Sequence, residues 1–255
     1  MSFKEKAVIV TGATSGIGRA AAEAFGREQA SVVLVGRNEA ALGEVAATIR
    51  TAGGHAVSCA VDLTDAAAAV TIVQATLTAF GHLDVLVNAA GVIASGTLEQ
   101  TTDAVWDQMM AINLTAPFRL MRAAAPHLEA RKGAVVNVSS VNGLRSFAGV
   151  LAYNVSKAGV DHLTRCAAIE MAPRGVRVNA VNPGVTVTNL HRRSGMDETK
   201  YAAFLERSKE THPLGRPGNP QEIANLIVFL ASERAGWMTG ETIPIDGGRH
   251  LTCAR

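Results

Sequence analysis

A tyrosine and a lysine stand four residues apart in Tyr153-Asn154-Val155-Ser156-Lys157, and Ser140 lies thirteen residues upstream of the tyrosine. On a helix this spacing puts both side chains on one face. An ammonium beside a phenol favours the phenolate, so the pair predicts a Tyr153 pKa drawn down from about 10 towards neutrality. Lowering it by about three pH units takes roughly 4 kcal/mol, within reach of one partly desolvated cation and a hydrogen bond. Such a tyrosine is a general acid/base that works at physiological pH. Tyr-x-x-x-Lys also occurs on plain helix surfaces, so the rest of the chain must supply its setting.

Short β-rich apolar runs at 7–11, 31–35, 56–60, 85–88, 134–139, 177–182 and 242–246 alternate with helix-like stretches rich in Ala, Glu, Arg and Leu. Alternation of this kind predicts an α/β fold, with right-handed crossovers on one parallel sheet and helices on both faces. No linker or repeat interrupts it, so residues 1–255 read as one domain. The first run leads into Thr11-Gly12-Ala13-Thr14-Ser15-Gly16-Ile17-Gly18 and then a helical 19–28. Glycines there let backbone approach a pyrophosphate, and the helix start offers free N–H groups to the anion. The spacing is Gly-x-x-x-Gly-x-Gly rather than the commoner Gly-x-Gly-x-x-Gly.

The second run ends in Gly36-Arg37-Asn38, where an NAD site usually places an acid against the ribose 2′-hydroxyl. Gly36 leaves space and Arg37 offers a guanidinium to a 2′-phosphate, which favours NADP(H) with NAD(H) as the alternative. A solvated arginine at a helix start is the competing reading, and Ser15 stands where a second basic residue often helps hold that phosphate. Asp62, ahead of Leu63, is placed to accept from an adenine amino group or to cap a helix, a task Thr64 or Asp65 also suits. Asn88-Ala89-Ala90-Gly91 closes the fourth run with a glycine where backbone must come close to the nucleoside.

The chain of 255 residues is 48% hydrophobic and 18% charged, enough for a substantial single core. A formal charge of +2, with no basic run beyond Arg192-Arg193, gives no case for nucleic acid. Three scattered cysteines, Cys59, Cys166 and Cys253, argue for a reducing compartment, and no apolar run is long enough to span a membrane. No signal peptide precedes the first run, and the end Cys253-Ala254-Arg255 matches neither a prenylation nor a peroxisomal signal. Cytoplasm is the expected location. The stretch 222–231 is apolar on more than one face, which predicts an oligomer interface in preference to burial inside the monomer. Residues 188–211 are charged and weakly patterned after a strand end, and predict a substrate lid or an inert surface loop.

The ordered set Thr11 to Gly18, Asn88 to Gly91, Asn113, Ser140, Tyr153, Lys157 and Asn182-Pro183-Gly184 resembles the short-chain dehydrogenase/reductase family. The likeness runs from about Lys6 to Gly248 and includes Gly240-Glu241-Thr242 and Asp246-Gly247-Gly248. It implies a Rossmann-type doubly wound sheet of seven parallel strands. It also implies roles. Tyr153 would be acid in carbonyl reduction and base in alcohol oxidation, and Ser140 would hydrogen-bond the substrate oxygen. Ser139 would face away, and Lys157 would hold the nicotinamide ribose and lower the tyrosine pKa. Asn113, a poor helix former in mid-helix, would hold a water that relays protons to Lys157, with satisfaction by backbone as its other reading.

The expected nucleotide contacts are Gly12, Ser15, Gly16, Ile17, Gly18, Arg37, Asn38, Asp62, Leu63, Asn88, Ala90 and Gly91. Tyr153, Lys157, Pro183, Gly184, Thr186 and Thr188 complete them at the nicotinamide end. Ala89 replaces the family's frequent second asparagine, and Asn154-Val155 stand where smaller residues are usual; neither removes a reacting group. The implied reaction interconverts a ketone or aldehyde and a secondary or primary alcohol by hydride transfer with the nicotinamide, in a homotetramer or homodimer.

Val141, Asn142, Leu144, Phe147, Val150, His191, Arg192 and Met196 are candidates to face substrate, and their mixture suggests a modest apolar ketone or alcohol with a polar tail. Arg131-Lys132 and Arg174 resemble the carrier-protein contacts of 3-oxoacyl carrier-protein reductases, which makes such a reductase the alternative enzyme. No histidine pair or cysteine cluster suggests a metal, and Ser140 sits on no Gly-x-Ser-x-Gly elbow. A non-catalytic NADP-binding sensor on the same fold is the rival from another class. An intact Asn113–Ser140–Tyr153–Lys157 set argues against it.

Overall fold

The structure is a computed structural model that describes residues 2–252; Cys253 and the reading of the carboxyl terminus fall outside the described residues. Seven strands form one sheet: β1 (Ala7–Thr11), β2 (Ser31–Gly36), β3 (His55–Ala60), β4 (Val85–Asn88), β5 (Ala134–Val138), β6 (Arg177–Pro183) and β7 (Thr242–Ile245). They are all parallel, in the order β3-β2-β1-β4-β5-β6-β7. The apolar runs of the sequence mark all seven. Where a bound differs by one residue, pairing decides it, as where Gly36 joins β2 by pairing with Ala60.

The helices are α1 (Gly16–Arg27), α2 (Glu39–Thr51), α3 (Ala68–Phe80), α4 (Asp103–Met110), α5 (Ala116–Arg131), α6 (Val141–Leu144), α7 (Leu151–Met171), α8 (Leu190–Arg193), α9 (Glu198–Thr211) and α10 (Pro220–Ala231). Successive strand residues face opposite sides, and the chain uses this to build two cores. Val8, Val10, Val32 and Leu34 pack with Phe25 of α1, Leu42 and Ile49 of α2, and Ile227 of α10. Ile9, Val33, Leu86 and Val135 pack on the other face with Ile72 of α3 and Leu120 and Leu128 of α5.

Strand order runs outward in both directions from the β1–β4 pair, so connections leave this point to opposite sides and open a crevice at the carboxyl ends of the strands. Local chemistry fixes the helix starts around it. Asn38 accepts from Ala41 N at 3.0 Å to cap α2, and Asn219 and Glu222 form a capping box ahead of Pro220 in α10.

Two expectations need correction. The apolar faces of α10 are buried within the chain, with Ile223, Ala224, Ile227, Val228 and Leu230 against α1 and the sheet. Burial inside the monomer therefore accounts for most of that helix, and only Leu226 and Phe229 remain half-buried. Residues 188–211 are no plain loop. They hold α8 and α9, the latter started by Asp197, whose side chain accepts from Lys200 N at 2.8 Å. No helix among the described residues is long and apolar enough to cross a membrane.

Candidate active site

A cavity of about 1090 Å³ occupies the crevice. At one end the β1–α1 turn forms a cradle. A Cβ on Gly18 would stand 2.4 Å from the Gly12 carbonyl oxygen, and one on Gly12, whose φ is +67°, would stand 2.9 Å from Ala90 Cα. Glycine is thus required there by close backbone, and the first turn of α1 holds no acid to occupy its positive end. Thr11 Oγ1 accepts from Ala89 N (3.0 Å) and Ala90 N (3.1 Å), which pins the Ala89–Gly91 backbone beside the cradle whichever residue stands at 89. Arg37 reaches Asp62 at 3.9 Å across the neighbouring rim. Asp62 Oδ1 accepts from Thr64 N and Thr64 Oγ1, and these hydrogen bonds hold its carboxyl below the usual range. A turn of that kind leaves Oδ2 for another donor.

Most expected contacts line this one cavity: Gly12, Ser15 to Gly18, Arg37, Asn38, Asp62, Leu63, Ala90, Gly91, Ser140, Tyr153, Lys157, Pro183, Gly184, Thr186 and Thr188. Asn88 and Asn113 do not line it. Asn88 donates to Asn137 Oδ1 (2.8 Å) and Asn137 Nδ2 donates to Thr164 Oγ1 (2.9 Å), in a buried network under the site. Asn113 falls in a π-helical turn, Ala111–Thr115, between α4 and α5. Its amide grips Val92 both ways, accepting from Val92 N and donating to Val92 O at 2.9 Å each, and donates to Ser156 Oγ (3.0 Å). These contacts satisfy the Asn113 side chain and fix the turn against Val92.

Tyr153 and Lys157 share a face of α7 and are both buried. Lys157 Nζ donates to the Val138 carbonyl at 2.9 Å and lies 5.7 Å from the Tyr153 ring centroid. Burial brings its pKa down to about 8, with Asp161 one turn on opposing the change. The phenol departs from expectation. Burial pushes Tyr153 up, only partly offset by its interaction with the Ser140 hydroxyl, because Met109, Val92 and Val150 wall it off from water. The lowered pKa predicted from spacing is thus absent. The ammonium is directed at a backbone carbonyl, and desolvation outweighs it.

Ser140 caps α6, its hydroxyl accepting from Asn142 N at 3.2 Å. Ser139 donates to Lys157 O (3.1 Å), a separate task for the neighbouring hydroxyl. Asn182 of β6 donates to Ser140 O (2.8 Å) and to Asp161, tying strand, serine and helix together.

On the outer side the cavity is lined by Val141, Asn142, Phe147, Val150 and His191 among the expected substrate residues, but not by Leu144, Arg192 or Met196. Arg192 turns away to pair with Glu198 at 2.6 Å and to lie over the Tyr201 ring at 3.9 Å. Buried Tyr201 donates to Thr188 O (2.9 Å) and accepts from Thr188 N (3.2 Å), so α9 is latched to the loop that lines the cavity. His212 was missed by sequence reasoning. Its Nε2 accepts from Val185 N (3.1 Å) while Nδ1 meets Ser208 O (2.9 Å), the neutral tautomer, and burial lowers its pKa. Arg193, Arg207 and Arg249 also line the cavity unforeseen, since only tertiary structure brings residue 249 to α9. Arg131 and Arg174, read as possible carrier contacts, are engaged with Asp84 (3.1 Å) and Glu129, and neither lines the cavity.

A glycine cradle at the switch point of a parallel sheet, opening onto a buried Ser–Tyr–Lys group, defines a nucleotide-dependent oxidoreductase. The family model described as Enoyl-(Acyl carrier protein) reductase matches residues 12–250. The chain is similar to the 2,5-dichloro-2,5-cyclohexadiene-1,4-diol dehydrogenase of Sphingobium indicum, 39% identical over 244 residues and covering 95% of each chain. It is also similar to the 3beta-hydroxysteroid dehydrogenase of Mediterraneibacter gnavus, 37% identical over 262 residues, covering 96% of this chain and 95% of the other. A short-chain dehydrogenase/reductase of Caenorhabditis elegans, solved with cofactor, superposes with a TM-score of 0.92 at 35% identity, covering 99% of this chain and 97% of that one. The chain belongs to the short-chain dehydrogenase/reductase family, NAD(P)-dependent oxidoreductases that act on hydroxyl groups.

Proposed function

We propose that the protein interconverts a small, ring-bearing secondary alcohol and its ketone, with Tyr153 as the acid/base and NADP(H) as the preferred cofactor. The observation that carries the reading is the presence of Ser140, Tyr153 and Lys157 on the wall of the cavity that also contains the Gly12–Gly18 cradle. The cradle fits a dinucleotide because Gly12 and Gly18 let the turn close tightly against its own backbone and Ala90, which leaves the N–H groups at the start of α1 to face a pyrophosphate. Gly36 and Arg37 on the same rim favour a 2′-phosphate over a bare hydroxyl. Both curated relatives named above are dehydrogenases of cyclic alcohols by their names, which supports a ring-bearing substrate.

The nicotinamide, when bound, supplies or accepts the hydride. Gly12, Ser15 to Gly18, Arg37, Asn38, Asp62, Leu63, Ala90 and Gly91 would hold its nucleotide, and Pro183, Gly184, Thr186 and Thr188 its nicotinamide end. Ser140 donates to the substrate oxygen and fixes it against Tyr153. Burial keeps the phenol protonated at neutral pH, the form that reduction of a carbonyl requires. Oxidation needs the opposite form, which the nearby Lys157 ammonium favours. Asn113 holds the 111–115 turn and Val92 in place, and proton relay from this turn to Lys157 belongs to the same proposal. The α8–α9 segment, 188–211, serves as the lid.

We also propose a cytoplasmic homo-oligomer, a tetramer or a dimer. Trp106 of α4, Phe118 of α5 and Ile169 of α7 are exposed apolar side chains that a second copy would cover. A carrier-protein substrate is the weaker reading, because Arg131 and Arg174 are engaged elsewhere.

The test is a panel of cyclic and linear alcohols and ketones followed by nicotinamide absorbance, with Tyr153→Phe beside wild type. The variant should lose at least about a thousandfold in kcat/KM, as removal of an acid/base requires, with NADPH affinity within a few-fold of wild type. Retention of most of the activity would remove Tyr153 from the mechanism.

A further inference from the structure

We propose that the outer end of the cavity is an oxyanion-binding subsite built on Arg249, with Arg193 at its rim, so that preferred substrates carry a carboxylate away from the reacting carbon. This deepens the reading above and rests on it.

The charges lining the cavity are one-sided. Arg193, Arg207 and Arg249 line its substrate side, with His191 beside them kept uncharged by burial, whereas the single lining acid among the described residues is Asp62, beside Arg37 in the nucleotide region. A solvated arginine on a loose tail would carry no argument, but Arg249 is built in. Its guanidinium lies 4.9 Å from the Phe147 ring centroid and donates to Thr211 O, at the end of α9, at 3.2 Å. The short helical turn Arg249–Leu251 that carries it is tied down by Arg145, which donates to His250 O (2.6 Å) and Thr252 O (2.5 Å).

Arg249 is also held among like charges. Burial first, then the charges of Arg207 and Arg145, depress its pKa from the ordinary arginine value, with Asp246 opposing. Asp246 is committed within its own turn, accepting from Gly248 N (3.0 Å), His250 N (2.7 Å) and His250 Nδ1 (3.0 Å). Arg193, one residue beyond the Glu198-paired Arg192, forms no ion pair among the described residues. Arg249 and Arg193 on a substrate-side wall that carries no acid among the described residues are complementary to an anion, and a planar carboxylate matches the guanidinium fork. Phe147 links the two ends of the substrate. Its ring faces Arg249, and its carbonyl accepts from Asn154 Nδ2 (2.7 Å), one residue past Tyr153.

The experiment compares 4-hydroxycyclohexanecarboxylate with its primary amide, a matched pair differing in charge, in wild type, Arg249→Met, Arg249→Lys and Arg193→Gln. Wild type should favour the carboxylate at least about tenfold in kcat/KM, mostly through KM, and added salt should shrink the preference. Arg249→Met should reduce that preference about tenfold, Arg249→Lys should retain part of it, and Arg193→Gln should lower it several-fold. The exposed rim position keeps the test available should Arg249→Met fold poorly. Equal losses on both substrates, with the ratio unchanged, would make Arg249 a brace between Phe147 and α9 and overturn the subsite. Wild-type turnover of the amide with no preference for the carboxylate also overturns it while leaving the proposed function standing. No turnover of any alcohol or ketone in the wider panel defeats the proposed function itself.

Discussion

Lys157 is buried, and removal from water lowers its pKa to about 8 even though Asp161 pulls the other way. At pH 7 the folded and unfolded chains both carry the proton, and the folded chain bears the full cost of the buried charge. Between about 8 and the ordinary 10.5 the unfolded chain keeps a proton that the folded chain has released, so this residue adds stability as pH rises through that window. The stability of wild type minus that of Lys157→Met, from denaturant titrations at pH 7.5 and 9.5, should therefore increase; a flat or falling difference contradicts the burial argument. Tyr153, raised by burial, works in the opposite sense only above about pH 10, outside that range. Arg37 makes a separate claim at this scale. Arg37→Ala should weaken NADPH at least about tenfold, the worth of a charge-assisted bond, and NADH far less. Equal losses in titrations of the two nucleotides would sink the 2′-phosphate assignment.

Two glycines in neighbouring elements show what a tertiary contact adds to local propensity. Gly18 opens α1 with its missing Cβ pressed on the Gly12 carbonyl, whereas Gly43, exposed in α2, has nothing within 4 Å of that position. Gly18→Ala should fold less stably and lose measurable nucleotide binding, because only backbone could yield. Gly43→Ala should gain about 0.5–1 kcal/mol from helix propensity. Thermal melts with and without nucleotide check both, and a harmless Gly18→Ala would refute the close-approach argument. The cradle was readable as a motif since its glycines lie within seven residues of one another, Gly12 to Gly18. The helical character of 188–211 was not, because α9 is held by Tyr201 reaching back to Thr188 rather than by a clean apolar period.

Across the whole molecule the two ends of the sheet do different work. The carboxyl ends of the strands carry the cavity, while the opposite end is gathered on Asp84, which is almost fully buried. Asp84 accepts from Ala7 N (2.9 Å), Lys6 (3.2 Å) and Arg131 (3.1 Å), and His82 lies 3.2 Å away. It thereby joins the segment before β1 to the end of α5. Asp84→Ala leaves the buried Ala7 N–H without its acceptor and takes the counter-charge from the part-exposed Lys6 and Arg131, so it should cost about 1–3 kcal/mol of stability. The kcat of the folded fraction should change less than twofold, since no contact of Asp84 lines the cavity. Unfolding curves paired with active-site titration separate the effects; a large fall in kcat at unchanged stability would invert this division.

Sequence alone determined the class of fold and pointed to the proposed reacting group. Short apolar runs, a glycine turn at the first strand end and Tyr153–Lys157 at helical spacing are all local patterns, and local backbone geometry dictates them. It also supplied Arg37 and Asp62, each at the end of a recognisable run. Tertiary structure decided the rest, because burial and contact between distant segments appear in no local pattern. It placed Lys157 against the Val138 carbonyl, it buried Tyr153 and so turned the tyrosine pKa upward, and it folded Asn113 onto Val92. It buried α10 within the monomer, and it carried Arg249 from the carboxyl-terminal end to Phe147 and Thr211. Desolvation is the common physical cause for the reacting pair, since the free energy of a phenol or an ammonium depends on all that surrounds it.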